Sequence, residues 1–372
     1  MSILDSLTKK ELKDTNEVKD KVRILINKGY HLITFKKSFS CEEYSNFLME
    51  LASICSNTAL SFSMHLYTVR GLWDLFSVEQ QKRYEQEIRK GRIFGSINDP
   101  NVYFIDEKTI NPNDYPVIVT KTQTGYLLNG IKHFVSLEPL VTHIPVYGLL
   151  IDEETDTKKI GIFIIDKNSN GVSTINNWDS ISMPDTDSNS IELKNVKVPI
   201  NQSIVTKTNI FSNTTWLSHL YKLSLSSVYL GMAKEIILEL TKVKNKKVPH
   251  TNRSLAFFPG IQFSIAEILI CYETAYSILE KYYRILDNPE SNNQLKNRIG
   301  LITKINVSKS VEEIINKAMK IHGVKSLSLS NHLSKHYKDI KASIFHAPQQ
   351  DLIYEMLAKD FLGILGTKNR WL

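Results

Sequence analysis

Cysteine is scarce in this chain. The 372 residues hold only 3, Cys41, Cys55 and Cys271, with no CxxC pair and no metal-ligand spacing, so neither a disulfide framework nor a metal site is expected. A sparse, odd set of this kind reads as buried thiols in a reducing compartment. Long hydrophobic runs are lacking too: the apolar stretch Ile144 to Ile151 is far too short to span a bilayer. Met1 to Lys21 is laced with Lys, Asp and Glu and holds no apolar signal-peptide core. These absences point to a cytoplasmic protein with no membrane partner. A strong excess of one charge sign is also missing: 46 Lys plus Arg against 39 Asp plus Glu leave +7, spread without basic blocks or interleaved aromatics, so a nucleic-acid surface is not expected. A modest lysine excess fits an anionic cofactor or substrate more economically. No internal repeat or low-complexity tract appears.

What is present is an ordinary globular composition, 42% hydrophobic and 23% charged, at a length that suits two or three compact units. Up to about Gly95 the spacing is helical. Glu43 to Cys55 carries apolar residues at helical period, with Ser38 or Ser40 available as a cap. Ala59 to Leu66 is an apolar helix whose His65 reads as a core histidine. Ser77 and Gln80 stand at capping-box spacing before a short charged helix. From Ile93 to about Val205, short β-like runs alternate with Asn, Asp, Gly and Pro clusters, as in a sandwich or barrel. Beyond Phe211 come four long helical stretches, Trp216 to Val243, Phe258 to Leu286, Leu295 to Ile321 and Gln349 to Leu365, enough for a four-helix bundle. The expected division is an N-terminal α-helical domain over 1–95, a middle β-domain over 96–208 and a C-terminal four-helix bundle over 209–372.

The most specific stretch is Gly125-Tyr-Leu-Leu-Asn-Gly-Ile-Lys-His-Phe-Val-Ser136. Asn129-Gly130 tolerates the positive φ of a tight turn, which predicts a β-hairpin there. Strand alternation then puts Ile131, His133 and Val135 on one face, and Lys132, Phe134 and Ser136 on the other.

That wording, Gly-Tyr-x-Leu-Asn-Gly-x-Lys followed by aromatic-Val-Ser, resembles the hairpin with which acyl-CoA dehydrogenases hold FAD. Other landmarks follow in register: Ser77 to Tyr84, then Gly91 and Ser96-Ile-Asn-Asp-Pro100; Gly171-Val-Ser, Trp178-Asp, Met183 and Ile191 to Pro199; Lys320-Ile-His-Gly323 and Tyr337-Lys-Asp-Ile-Lys341. The resemblance to the acyl-CoA dehydrogenase superfamily covers essentially the whole chain. It implies a helical domain, a β-domain and a helical bundle around bound FAD, an oxidoreductase acting on an acyl-CoA or similar small substrate, and a homo-oligomer, most simply a tetramer. By the same resemblance Asn98 contacts the flavin ring, Phe134 and Ser136 flank its reactive edge, and Gly323 lies near the adenosine half of a neighbouring subunit's cofactor.

Two of the family's features are replaced. The usual catalytic Glu position carries Ala347, and the alternative position on the first bundle helix carries Tyr221. Asp351 and Glu355 are the nearest carboxylates in sequence. The CoA-binding Gly-rich loop after Pro100 is replaced by Asn101-Val-Tyr-Phe-Ile-Asp106. The segment that replaces the base, Lys338 to Pro348, ending Phe-His-Ala-Pro, looks like the corresponding segment of flavin monooxygenases of the dibenzothiophene-monooxygenase type, which implies a role for His346 beside the flavin. There an imidazole shuttles protons or donates hydrogen bonds. The arginine that holds the FAD pyrophosphate is also absent, leaving Lys246 and Lys247, with Arg253 a second choice, as point-charge substitutes. Three readings result. One is a FAD-dependent dehydrogenase-like oxidoreductase served by an electron-transfer partner. The second is a monooxygenase using FMN or reduced flavin from a partner reductase, and the third a non-catalytic flavin-binding homologue.

Overall fold

A computed structural model describes residues 3–35, 39–99, 110–152, 157–206, 209–248 and 250–364. The replaced loop 101–106 lies outside them. The chain opens with helices α1 (Ser6–Asp14), α2 (Val18–Asn27), α3 (Cys41–Ala52), α4 (Ser56–Trp73) and α5 (Val78–Arg89). Ser40 caps α3 by accepting the Glu43 N–H, and Ser77 with Gln80 forms the expected reciprocal capping box on α5. Helix α4 is buried along nearly its whole length, and His65 on it is a core residue whose Nδ1 accepts the Phe94 N–H at 3.1 Å.

Strands follow: β1 (Ile93–Phe94), β2 (Val117–Lys121), β3 (Gly125–Val135), β4 (Val141–Asp152), β5 (Thr157–Asp166), β6 (Val172–Ile175), β7 (Asn189–Pro199) and β8 (Ser203–Ile204). They form one connected sheet of order β6-β7-β3-β2-β4-β5-β8, with β1 on β4.

The hairpin is where the expected detail fails. Its turn is not Asn129-Gly130 but the link between β2 and β3, where Thr122 N–H donates to Gly125 O at 2.9 Å. Strand β3 runs straight through Asn129 and Gly130, which pair with Ile118 and Val117 of β2. Its register against β7 shifts between Leu128 and Gly130, so the dipeptide serves as a bulge. Gly130 sits at φ +138°, and a Cβ there would meet Pro116 O at 1.9 Å, which is why no larger residue fits. A second register shift lies between Lys132 and Val135. It breaks the strict alternation: Phe134 takes φ +57°, so His133 and Phe134 are both exposed while Lys132 and Val135 are buried.

The C-terminal part contains α6 (Ile210–Asn213), α7 (Thr215–Leu240), α8 (Pro259–Asp287), α9 (Asn293–His322), α10 (His332–Ile340), α11 (Ala342–Phe345) and α12 (Gln350–Leu362). Helix α7 is apolar on nearly every side and packs against α3, α4, α8 and α9, the behaviour expected of a helix at the centre of a protein. Gly231 lets it cross α3 closely, since a Cβ would lie 2.4 Å from Met49 O. Two hydroxyl pairs cement that crossing: Tyr44 with Ser224 at 2.6 Å and Ser45 with Ser227 at 2.7 Å. Among the described residues no helix is long and apolar enough to cross a membrane.

Candidate active site

The bulge in β3 turns Phe134 out of the sheet toward the loop after β6, where its ring meets Trp178 edge-on at 6.5 Å. A non-glycine residue at this φ costs about 1–3 kcal/mol and persists only where its surroundings hold it. Buried Lys132 helps to hold it. Its ammonium donates to Asn98 O at 2.7 Å and His133 O at 3.2 Å, tying the Ser96–Asn98 segment to the bulged strand. Burial holds the Lys132 pKa below its ordinary value, with nearby Asp99 opposing the shift.

Phe134 and Trp178 form part of the wall of a cavity of about 370 Å³, a volume suited to a small cofactor. Asn98 and Ser136 from the β-unit, Leu60 and Met64 from α4, Tyr221 from α7, and Phe345, His346 and Ala347 beyond α10 complete much of its lining. The fold thus brings together Asn98, Phe134, Ser136 and His346, four residues separated by up to 248 positions (346 − 98). It also places there Ala347 and Tyr221, the two positions at which the family resemblance would put a catalytic carboxylate. Among the described residues no Asp or Glu lines this cavity. Nor is any group of three or more His, Cys, Asp and Glu arranged to hold a metal.

The remaining sequence candidates lie elsewhere. Lys246 Nζ is 3.1 Å from His322 Nδ1, next to Gly323, which caps α9 at φ +71°. Lys247 bridges to Ser254 and is exposed. None of the three lines the cavity. Glu355 pairs with Lys359 at 2.7 Å, and Asp351 is exposed on the first turn of α12.

Several polar groups at the cavity have capacity to spare. The side-chain amide of Asn98 makes no hydrogen bond among the described residues, while its backbone N–H is held by Tyr67 and Ser96. His346 Nε2 is buried without a partner, and so is the Tyr229 hydroxyl, whose ring centroid is 5.9 Å from that of His346. Burial, aided by the charge of Lys304, pushes the His346 pKa down to about 3 and keeps the ring neutral. An orphaned buried nitrogen costs free energy unless something enters to pair with it. Together with an aromatic wall and an uncommitted amide, it fits a planar heteroaromatic rimmed by donors and acceptors, such as a flavin ring.

Sequence reasoning missed part of the wall. Ser182, Thr186 and Ser188 reach the cavity from the loop between β6 and β7, in a strained setting with Met183 at φ +52° and Asp187 at +45°. Trp178 and Met183 had at least stood out as landmarks; the three hydroxyl residues carried no local signal. Another unforeseen feature is Asp339, 1% exposed, whose carboxylate accepts the Asn57 amide at 2.9 Å and the Met183 N–H at 2.8 Å. Beside the first cavity is a second of about 330 Å³, which shares Asn98 and Tyr221 with it.

Residues 219–347 match the family model for the acyl-CoA dehydrogenase C-terminal domain. YdbM of Bacillus subtilis (strain 168), a candidate acyl-CoA dehydrogenase, is 23% identical over 351 residues, 92% of this chain and 89% of that protein. The chain is similar to the acyl-CoA dehydrogenase family over most of its length, and residues 219–347 match that family's C-terminal domain. Similarity extends also to a dibenzothiophene monooxygenase of Mycolicibacterium goodii, 27% identical over 59% of this chain and 56% of that protein. In three dimensions the chain resembles FMN-bound TdsC, the dibenzothiophene monooxygenase of Paenibacillus sp. A11-2. The TM-score is 0.81 at 18% identity, over 96% of this chain and 93% of that one. That likeness extends over the whole α–β–α architecture described above.

Proposed function

We propose that this chain is a flavin-dependent oxidoreductase of the monooxygenase kind, which takes reduced flavin from a separate reductase and acts on a small molecule. One observation carries the reading. The cavity wall carries the imidazole of His346, whose Nε2 is buried without a partner, next to Ala347, the position at which the dehydrogenase branch would present a carboxylate. Removing an α-proton needs a general base, worth about 10²–10⁴ in rate, and neither Ala347 nor Tyr221 can supply a carboxylate. Among the described residues the one carboxylate on the wall of the neighbouring cavity, Asp360, accepts from Gln294 at 2.8 Å. It lies eight residues along α12 from Leu352, about 12 Å at 1.5 Å per residue. Similarity to flavin monooxygenases supports the same reading.

Bound reduced flavin would supply the electrons that activate oxygen. The chain's own residues do the rest. Phe134 and Trp178 cover the ring and exclude water. Asn98 and Ser136 orient its polar edge. Neutral His346 takes a proton at one ring nitrogen as it gives one from the other, and so moves a proton without keeping a charge. The second cavity, which shares Asn98 and Tyr221 with the first, receives the substrate. We retain FAD as a ligand alongside FMN. Because Lys246, Lys247 and Gly323 stand apart from the cavity, FAD would take its pyrophosphate and adenosine contacts from a second copy in a homo-oligomer, most simply a tetramer.

The test is anaerobic titration of the purified chain with flavin, followed by oxygen uptake with reduced flavin beside titration with acyl-CoAs. Flavin fluorescence should be quenched. Phe134→Ala should weaken that quenching with the fold intact, since the ring is 53% exposed and contributes little to the core. His346→Ala should lower turnover on the order of 10²–10⁴-fold with flavin affinity kept. A chain that binds no flavin sinks the proposal, and flavin reduction by an acyl-CoA would move the chain to the dehydrogenase branch.

A further inference from the structure

Part of the cavity wall has a direction. Ser136 Oγ lies 2.8 Å from Ser188 Oγ, which lies 2.9 Å from Thr186 Oγ1, which in turn donates to Met183 O at 2.9 Å. A carbonyl only accepts, and each hydroxyl owns a single hydrogen. Thr186 uses its hydrogen on Met183, so Ser188 must donate to Thr186, and Ser136 must donate to Ser188. Thr186 and Ser188 are 1% and 7% exposed, so bulk water hardly competes for these bonds. At the open end of the relay, Ser136 is left with only lone pairs to offer the cavity.

We propose that this relay biases Ser136 toward acting as an acceptor and so favours reduced flavin, whose N5 carries a hydrogen, over oxidised flavin, whose N5 is itself an acceptor. The inference rests on the flavin reading above, with the N5 edge at Ser136. Thr186 and Ser188 become positioning residues that act through Ser136 and set which redox form the site holds. The opposite polarity is available at a cost. For Ser136 to donate into the cavity with its contact to Ser188 kept, Ser188 must turn to Ser136 and Thr186 to Ser188, abandoning the Thr186–Met183 bond. Met183 O keeps the Thr186 backbone N–H at 3.2 Å, so the reversal forfeits one hydroxyl–carbonyl hydrogen bond and no more. Such a bond corresponds to a preference of about fivefold. For an enzyme served by a separate reductase, the wall then favours uptake of the reduced form and release of the oxidised one.

The experiment measures the affinities of the full chain for oxidised and dithionite-reduced FMN by anaerobic calorimetry, and compares their ratio between variants. The unmodified chain should bind the reduced form more tightly. Thr186→Val keeps the shape but removes the end of the relay, so the reduced-to-oxidised ratio should fall about fivefold, which is about 20 mV in the midpoint potential of bound flavin. Thr186→Ser should restore it. Ser188→Ala frees Ser136 to rotate and should lower the ratio too, providing the measurement if the valine variant does not fold. A ratio unchanged in both variants overturns the inference, even if both affinities drop together, because that pattern marks a residue that only shapes the loop. Failure of the unmodified chain to bind either form refutes the flavin reading itself and the relay's role with it.

Discussion

Removal of the Asp339 carboxylate should loosen the chain where its three parts meet. Its two oxygens accept from Asn57 on α4 and from the Met183 backbone in the β6–β7 loop, while the residue itself belongs to α10. Ser182 Oγ adds a bond to the Asp339 carbonyl at 2.8 Å, which survives substitution. Asp339→Ala orphans two buried donors at about 1–3 kcal/mol each. A partial offset comes from the charge. Burial raises the Asp339 pKa above the ordinary carboxyl value, against the Met183 N–H, Lys335 and the Asn57 amide, which lower it. The native state therefore binds that proton more tightly than the unfolded chain does. This group's contribution is favourable at acid pH and is lost as pH rises through the elevated native value. At neutral pH the alanine variant escapes that penalty, so the net loss should be about 2–4 kcal/mol. Asp339→Asn should cost about half as much, because the Asn57 Oδ1, buried without a partner, can accept from the new amide after a flip. Urea unfolding at pH 7 followed by circular dichroism measures both. A loss for alanine within about 0.5 kcal/mol of zero, or asparagine as harmful as alanine, would refute the reasoning.

Acid should unfold the protein through buried imidazoles. Burial depresses His65 to about 3 and His219 to about 2, the latter helped by Lys222 and Lys296. Both are neutral when folded and take up protons when unfolded, so stability is intact above the unfolded value near 6.5 and falls as pH drops below it. Together they should remove about 4 kcal/mol by pH 5; a flat stability profile between pH 7 and 5 would contradict this, and His65→Phe should move the transition to lower pH. At the other end of the proposed cofactor, Lys246→Ala/Lys247→Ala should weaken FAD binding and reduce its salt dependence while leaving FMN affinity unchanged. Equal losses for FAD and FMN, or none, would return that loop to plain surface.

How much of this could be read from the residues depended on how local each cause was. The capping box at Ser77 is written in four consecutive positions and was legible in full. Apolar spacing was equally direct for α7, α8 and α9, although α10 and α11 were not foreseen as separate helices. Asn129-Gly130 misled because the same freedom of φ serves a turn or a bulge. The choice was made by β2, which needs both residues as strand partners, while the real turn, Thr122-Gln-Thr, has no glycine or proline to mark it. The candidate site was half legible. Asn98, Phe134, Ser136 and His346 came from motif order, and the fold gathers them around one cavity. Ser182, Thr186 and Ser188 were invisible because a hydroxyl in a polar loop says nothing about which strand will pack against it. Asp339 stood inside a recognised motif, but its bonding partners lie 156 and 282 residues away.

Helix α7 has a consequence for how the chain can be divided. It is buried on both of its broad faces, by α3 and α4 on one side and by α8 and α9 on the other. A bundle expressed from α7 onward would expose Leu220, Leu223 and Val228 among other apolar residues, and would leave Ser224 and Ser227 without the hydroxyls of Tyr44 and Ser45. Cutting before α7 therefore does not release a finished module, but an incomplete one with a sticky seam. The two helical ends of the chain share one spine, and each must wait for the other before its interior is closed.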